Sequence, residues 1–195
     1  MLKIGILALQ GDFDAHRRRV AELGAEPVLV RKPEQLDSVD GLIIPGGESS
    51  VFLNLLGESG FRQLTEFVLT KPAFGTCAGC ILLAREVENP AQKGIGALDI
   101  TVRRNAYGRQ IDSAIMEGPS KLQGGPLEQV YIRAPRIERV GPEVEVLAER
   151  DGYAVLIRQG KLMAATFHPE LSEDTRVHAE FLKVVAKYAA KHAER

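Results

Sequence analysis

No apolar run in this chain is long enough to span a bilayer. An excess of charge of one sign is also missing. The 25 Lys and Arg residues stand against 26 Asp and Glu, a formal net charge of -1. That balance excludes a nucleic-acid or anionic membrane partner held by bulk electrostatics. Arg17-Arg18-Arg19 is a local basic run and reads as a solvated helix face. Cysteine is scarce, with two residues, Cys77 and Cys80. Their C-x-x-C spacing cannot by itself make a structural zinc site, which usually takes four ligands. Export signals are absent as well. Lys3 to Leu9 is too short, lacks a small-residue cleavage site and runs straight into Gln10-Gly11-Asp12. Free thiols and no export signal predict the reducing cytoplasm. With no internal repeat, low-complexity segment or linker, residues 1–195 are expected to form one domain.

The content is that of a globular protein: 195 residues, 45% of them hydrophobic. Strand-like and helix-like segments alternate through the first half. Strands are expected at Lys3 to Leu9, Pro27 to Val30, Leu42 to Ile44 and Pro72 to Thr76. Helices are expected at Phe13 to Leu23, Val51 to Leu56 and Phe61 to Leu69. This alternation predicts an α/β fold, a three-layer sandwich with a mostly parallel central sheet and helices on both faces. The second half reads as short β segments: Ile100 to Arg103, Gln129 to Ile132, Val144 to Ala148, Ala154 to Arg158 and Leu162 to Thr166. They predict antiparallel additions to the main sheet. Thr175 to Ala193 closes the chain as an amphipathic helix, with Val177, Phe181, Val184, Val185 and Tyr188 as its buried stripe.

Two distant segments carry chemistry. Gly75-Thr76-Cys77-Ala78-Gly79 lies between a short apolar run and a longer one, the profile of a strand, a sharp turn and a helix. Glycines two residues either side of Cys77 allow the turn and close packing of helix on sheet. The thiol then stands at a helix N-terminus, where unpaired amides favour negative charge. Phe167-His168-Pro169-Glu170 supplies a base and an orienting acid. In an extended segment, residues two apart point the same way, so Glu170 is expected to reach the His168 ring. Pro45-Gly46-Gly47 also follows a strand, so it is expected on the same sheet edge. Amides of Gly47 and Ala78 are candidates for an oxyanion hole. Each signal has a plainer reading: a buried core cysteine, a satisfied core histidine, a tight turn. Cys77 and Cys80 also fit a dithiol redox pair, although Cys80, three residues on, is expected to face the core. His16, His178 and His192 have charged neighbours and are expected at the surface.

Together these residues resemble the class I (triad) glutamine amidotransferases, and among them the glutaminase subunits of pyridoxal 5'-phosphate synthases. The resemblance runs through Ala8-Leu9-Gln10-Gly11, Arg31-Lys32-Pro33-Glu34-Gln35-Leu36, Gly41 to Ser50, Phe74 to Gly79, Arg104 to Gln110, Ile132-Arg133-Ala134-Pro135 and Phe167 to Leu171. It implies a flavodoxin-like fold of the amidotransferase type. It also implies hydrolysis of L-glutamine to glutamate and ammonia through a thioester on Cys77, with His168 as base and Glu170 orienting it. Substrate contacts are implied at Gly47, Glu48, Ser49, Arg104, Ile132 and Arg133. No cofactor or metal is implied. The ammonia would pass to a separate (β/α)8-barrel synthase subunit in a large hetero-oligomer. At Cys80 the family pattern leads one to expect a larger apolar residue. The rival readings are a glutaminase subunit of another ammonia-using synthase, a dithiol oxidoreductase and a non-catalytic α/β interaction module.

Overall fold

The computed structural model describes residues 1–106 and 114–193. Tyr107, Gly108, Arg109 and Gln110, part of the resemblance above, lie outside the described residues. The strands are β1 (Lys3–Leu7), β2 (Glu26–Val30), β3 (Gly41–Ile44), β4 (Ala73–Thr76), β5 (Ala84–Glu88), β6 (Leu98–Arg103), β7 (Ala114–Gly118), β8 (Leu127–Tyr131), β9 (Arg136–Val140), β10 (Glu145–Arg150), β11 (Tyr153–Gln159) and β12 (Leu162–Ala165). The helices are α1 (Phe13–Glu22), α2 (Ser49–Thr70), α3 (Ala78–Leu83) and α4 (Arg176–Ala193).

Seven strands form the central sheet in the order β10-β11-β12-β4-β3-β1-β2. From β12 to β2 every pairing is parallel; β10 and β11 add an antiparallel edge. Every residue of β3, β4 and β12 is buried. This explains why these strands read as continuous apolar runs: a parallel strand covered on both faces has no solvent side. Alternation divides their side chains between two cores. Ile4, Ile6, Ile43, Phe74 and Met163 meet Val20 of α1 and Val177, Phe181 and Val185 of α4. Leu7, Leu42, Ile44 and Ala73 meet Phe52, Leu64 and Val68 of α2 and the apolar residues of α3.

The two expected helices at Val51 to Leu56 and Phe61 to Leu69 are the two limbs of α2, which breaks at Gly57 (φ 61°, ψ -175°). The antiparallel expectation holds for β10 and β11. It fails for Ile100 to Arg103 and Gln129 to Ile132, which lie in separate sheets, β5-β6-β9 and β7-β8, and only half holds for Leu162 to Thr166, since β12 is antiparallel to β11 but parallel to β4. Short β segments reveal their length but not their partner, because pairing is decided by contacts distant in sequence.

Candidate active site

β4 ends at Thr76 and α3 begins at Ala78, so the chain reverses direction at Cys77. Cys77 has φ 49° and ψ -103°, outside the regions an L-residue favours. Such a conformation costs about 1–3 kcal/mol and persists where its surroundings over-determine it. Here they do. A Cβ on Gly79 would stand 2.1 Å from the Ile44 carbonyl oxygen, and one on Gly75 would stand 2.4 Å from the Gly79 carbonyl. Only glycine at both positions lets α3 sit this close to β3 and β4. The Cys77 N–H donates to the Ala165 carbonyl at 2.9 Å, and its own carbonyl accepts from the Ile81 N–H at 3.2 Å. Cys80, one turn further on, is fully buried, and burial foremost pushes its thiol well above the ordinary value.

β12 runs parallel to β4 with Ala165 opposite Thr76. The chain leaving β12 therefore emerges at the same edge as Cys77, where α/β sheets bind ligands. The His168 N–H donates to the Val130 carbonyl at 2.7 Å. Glu170 does not reach the ring along an extended segment. Pro169–Leu171 is a short 3-10 turn, and this turn brings Oε1 to 2.7 Å from His168 Nδ1. The third segment joins at the same point: a Cβ on Gly46 would lie 2.5 Å from His168 Cε1 and 3.3 Å from Cys77 Cβ.

Burial opposes charge on His168, yet its interactions with Cys77 and Glu170 outweigh it and raise the ring from 6.5 to about 10. Burial likewise pushes the Glu170 carboxyl up. His16 and His168 pull it down further, to a net value of about 2. A buried carboxylate held ionised beside a ring held protonated is the charge arrangement a general base needs after taking a proton. Asp12 brings a carboxylate within 4.8 Å of the donor atoms of His168 and Glu170. This set is the bonded histidine–glutamate pair plus an exposed aspartate, not a ligand cage.

Two residues overturn the surface expectation. His16 and His178 are both 0% exposed. His16 Nε2 lies 3.4 Å from Glu170 Oε2 and 3.2 Å from Thr76 Oγ1, and its Nδ1 lies 2.9 Å from His178 Nε2. Burial is the first cause lowering the pKa of both, with His178 falling to about 3. Charged neighbours in sequence concealed this; α1 turns His16 inward and Arg17 and Arg18 outward.

The remaining expected residues lie in the segments after β3, β6 and β8 and at the start of α3. Gly47 has φ 133°. Glu48 caps α2, its carboxylate accepting from the Ser50 N–H and hydroxyl. That carboxylate also pairs with Arg104 at 2.8 Å, so two of the expected substrate contacts meet each other. Ser49 is buried, and its hydroxyl donates to Gln92. Ile132 and Arg133 are exposed just beyond β8, and Arg133 has φ 44°. Ala78 opens α3, so its N–H lies among those without an intrahelical acceptor. Sequence reasoning on chemistry alone passed over Gln10. Its amide grips the Glu48 backbone from both sides, Nε2 donating to the carbonyl at 2.5 Å and Oε1 accepting from the N–H at 3.4 Å.

The chain is similar to known proteins. The profile of the SNO glutamine amidotransferase family matches residues 6–187. A pyridoxal 5'-phosphate synthase subunit PdxT of Koribacter versatilis is 70% identical over 184 residues, covering 94% of this chain and 96% of that one. The PdxT of Solibacter usitatus is 52% identical over 189 residues, covering 93% and 98%. A crystal structure of a glutamine amidotransferase superposes with a TM-score of 0.87 at 43% identity, covering 94% of this chain and 98% of that one. The family profile and the relatives that cover nearly all of the chain agree: the chain belongs to the SNO glutamine amidotransferase family.

Proposed function

We propose that residues 1–195 form one glutaminase domain, the ammonia-producing subunit of a pyridoxal 5'-phosphate synthase. The relatives' names support the synthase assignment. The observation that carries the chemistry is Cys77, strained at the edge of β4, gathered around Gly46 with a His168 whose Nδ1 is held by Glu170 at 2.7 Å.

Cys77 attacks the side-chain amide carbon of L-glutamine after its thiol proton has passed to His168. A ring with raised proton affinity suits that task, and Glu170 stabilises the imidazolium that results. Backbone N–H groups of Ala78 and Gly47 bind the tetrahedral oxyanion; one such donor is worth roughly 3 kcal/mol. His168 then protonates the departing ammonia, and water hydrolyses the γ-glutamyl thioester. Glu48, Ser49, Arg104, Ile132 and Arg133 form the substrate side of the site, with a guanidinium suited to the amino-acid carboxylate. The mechanism needs no cofactor. The dithiol reading is disfavoured because the Cys80 thiol is fully buried and held protonated by that burial.

The ammonia acceptor is a separate (β/α)8-barrel subunit. The cytoplasm fits the two free thiols. No helix among the described residues is long and apolar enough to cross a membrane. The test is ammonia release from glutamine, with and without the barrel subunit, for the wild type and Cys77→Ala. Glutamine-dependent ammonia lost in Cys77→Ala is expected. Equal release by the variant would overturn the assignment of the nucleophile.

A further inference from the structure

Behind the His168–Glu170 pair lies a second polar layer that the proposed mechanism leaves unused. Glu170 Oε1 is fixed by His168 Nδ1, but the buried Oε2 makes no hydrogen bond to any described residue. His16 Nε2 stands 3.4 Å from it. We propose that His16 is a positioning residue for the reaction: held by His178, it presents a neutral Nε2–H to Glu170 Oε2 and so fixes the plane of the carboxylate that orients His168. The inference rests on the glutaminase reading above.

The tautomer follows from the partners. A neutral ring carries one N–H. If His16 bore it on Nδ1, its Nε2 lone pair would face a buried carboxylate, and His178 would have to accept on Nε2. The His178 proton would then sit on Nδ1, a buried atom with no described partner. A buried donor without an acceptor is the rarer defect. With both rings in the Nε2–H form, His178 donates to His16 Nδ1 at 2.9 Å and His16 donates towards Glu170. Only an acceptor, His178 Nδ1, is then left over. Thr76 Oγ1, at 3.2 Å from His16 Nε2, shares that proton and ties the arrangement to the residue before Cys77.

The charged and titratable groups around His16 are consistent with a neutral ring. Glu170 and Asp12 favour its protonation, His168 opposes it, and complete burial decides for the neutral form. His178, with Arg19 also acting against its charge, stays neutral for the same reason. The relay therefore brings no net charge into the core and supplies direction only.

The test combines kinetics of the full chain, assayed with the barrel subunit, and imidazole nitrogen NMR of the wild type. His16→Leu is expected to lower kcat about ten- to a hundredfold, as small misplacements of catalytic groups do, with KM nearly unchanged. The acid limb of its pH–rate profile should move to higher pH as Glu170 loses a donor. His16→Gln, whose amide can offer an N–H at similar reach, should recover most of kcat and the original limb. In the wild type both rings should titrate as neutral Nε2–H tautomers. Unchanged kcat and acid limb in His16→Leu, equal loss in both variants, or an Nδ1–H His16 would each overturn the proposal. Should His16→Leu not fold, His16→Gln and the NMR decide. Absence of ammonia release by the wild type would instead overturn the glutaminase reading, while the NMR still tests the tautomer.

Discussion

The candidate site has a back and a front built on opposite principles. At the back, His168, Glu170, His16 and His178 are 5%, 1%, 0% and 0% exposed and bonded mainly to one another. At the front, made of the residues proposed to contact substrate, the Glu48 side chain is 56% exposed, Ile132 is 40% exposed, and the Arg104–Glu48 ion pair lies open to solvent on one side. Buried polar groups in low dielectric interact strongly and cannot be rearranged cheaply. Exposed pairs are worth little and exchange readily for a substrate's own charges. The back therefore suits a fixed chemical apparatus and the front an adaptable entrance.

The sharpest way to break this contrast is at the nucleophile. Cys77→Ala should abolish glutamine hydrolysis while the chain stays folded, as measured by ammonia release and circular dichroism. Cys77→Gly should be equally inactive but melt no lower than Cys77→Ala, because glycine relieves a strain of about 1–3 kcal/mol. A clearly lower melt for the glycine variant would show that the turn is not strained.

Next comes the base. His168→Asn should cut kcat at least about a hundredfold. Glu170→Gln should cut it less while keeping the shape. Wild-type turnover in His168→Asn would remove the mechanism altogether.

The buried layer should also be visible in stability against pH. His178 titrates near 6.5 when unfolded and about 3 when folded. As pH falls below about 6.5 the unfolded chain binds a proton that the folded chain refuses, so stability declines. Glu170, ionised in the fold down to about 2 against an ordinary 4.5, adds stability above 4.5 that is lost as pH falls from 4.5 towards 2. His168 acts in the opposite direction: its contribution is complete below 6.5 and is lost as pH rises towards 10. Melting temperature should therefore peak near pH 6.5 and fall more steeply below 4.5. A flat melt from neutrality down to about pH 4 would contradict the buried neutral histidines.

The front should respond more weakly and in a different parameter. Arg104→Ala is expected to raise KM for glutamine several-fold with a smaller change in kcat, the pattern of lost ground-state binding. A pure kcat loss would move Arg104 to the chemical side of the contrast. The smallest effect is expected at Cys80→Ser, which should keep most activity and cost about 1 kcal/mol of stability. Loss of activity as complete as in Cys77→Ala, without unfolding, would revive the dithiol reading.

Local sequence determined much of this protein. Glycine spacing around Cys77 and the buried strands are short-range patterns found where their residues predict them, and of the expected α4 stripe Val177, Phe181 and Val185 are buried while Val184 and Tyr188 are only partly covered. Gly57 even separates the two limbs of α2 where the apolar pattern paused. The position of His168 was legible because it ends an apolar strand, and the C-terminal edge of strands is where α/β sheets bind ligands. Tertiary structure alone decided the rest. Which short strands join the central sheet depended on pairing across the chain, and β6 and β8 joined other sheets. Glu170 reached His168 through a 3-10 turn that the extended reading missed. Most of all, the burial of His16 and His178 depends on α1 and α4 packing side by side on one face of the sheet. Neither helix by itself records that, because a histidine among charged residues has the same local pattern whether its face meets water or another helix.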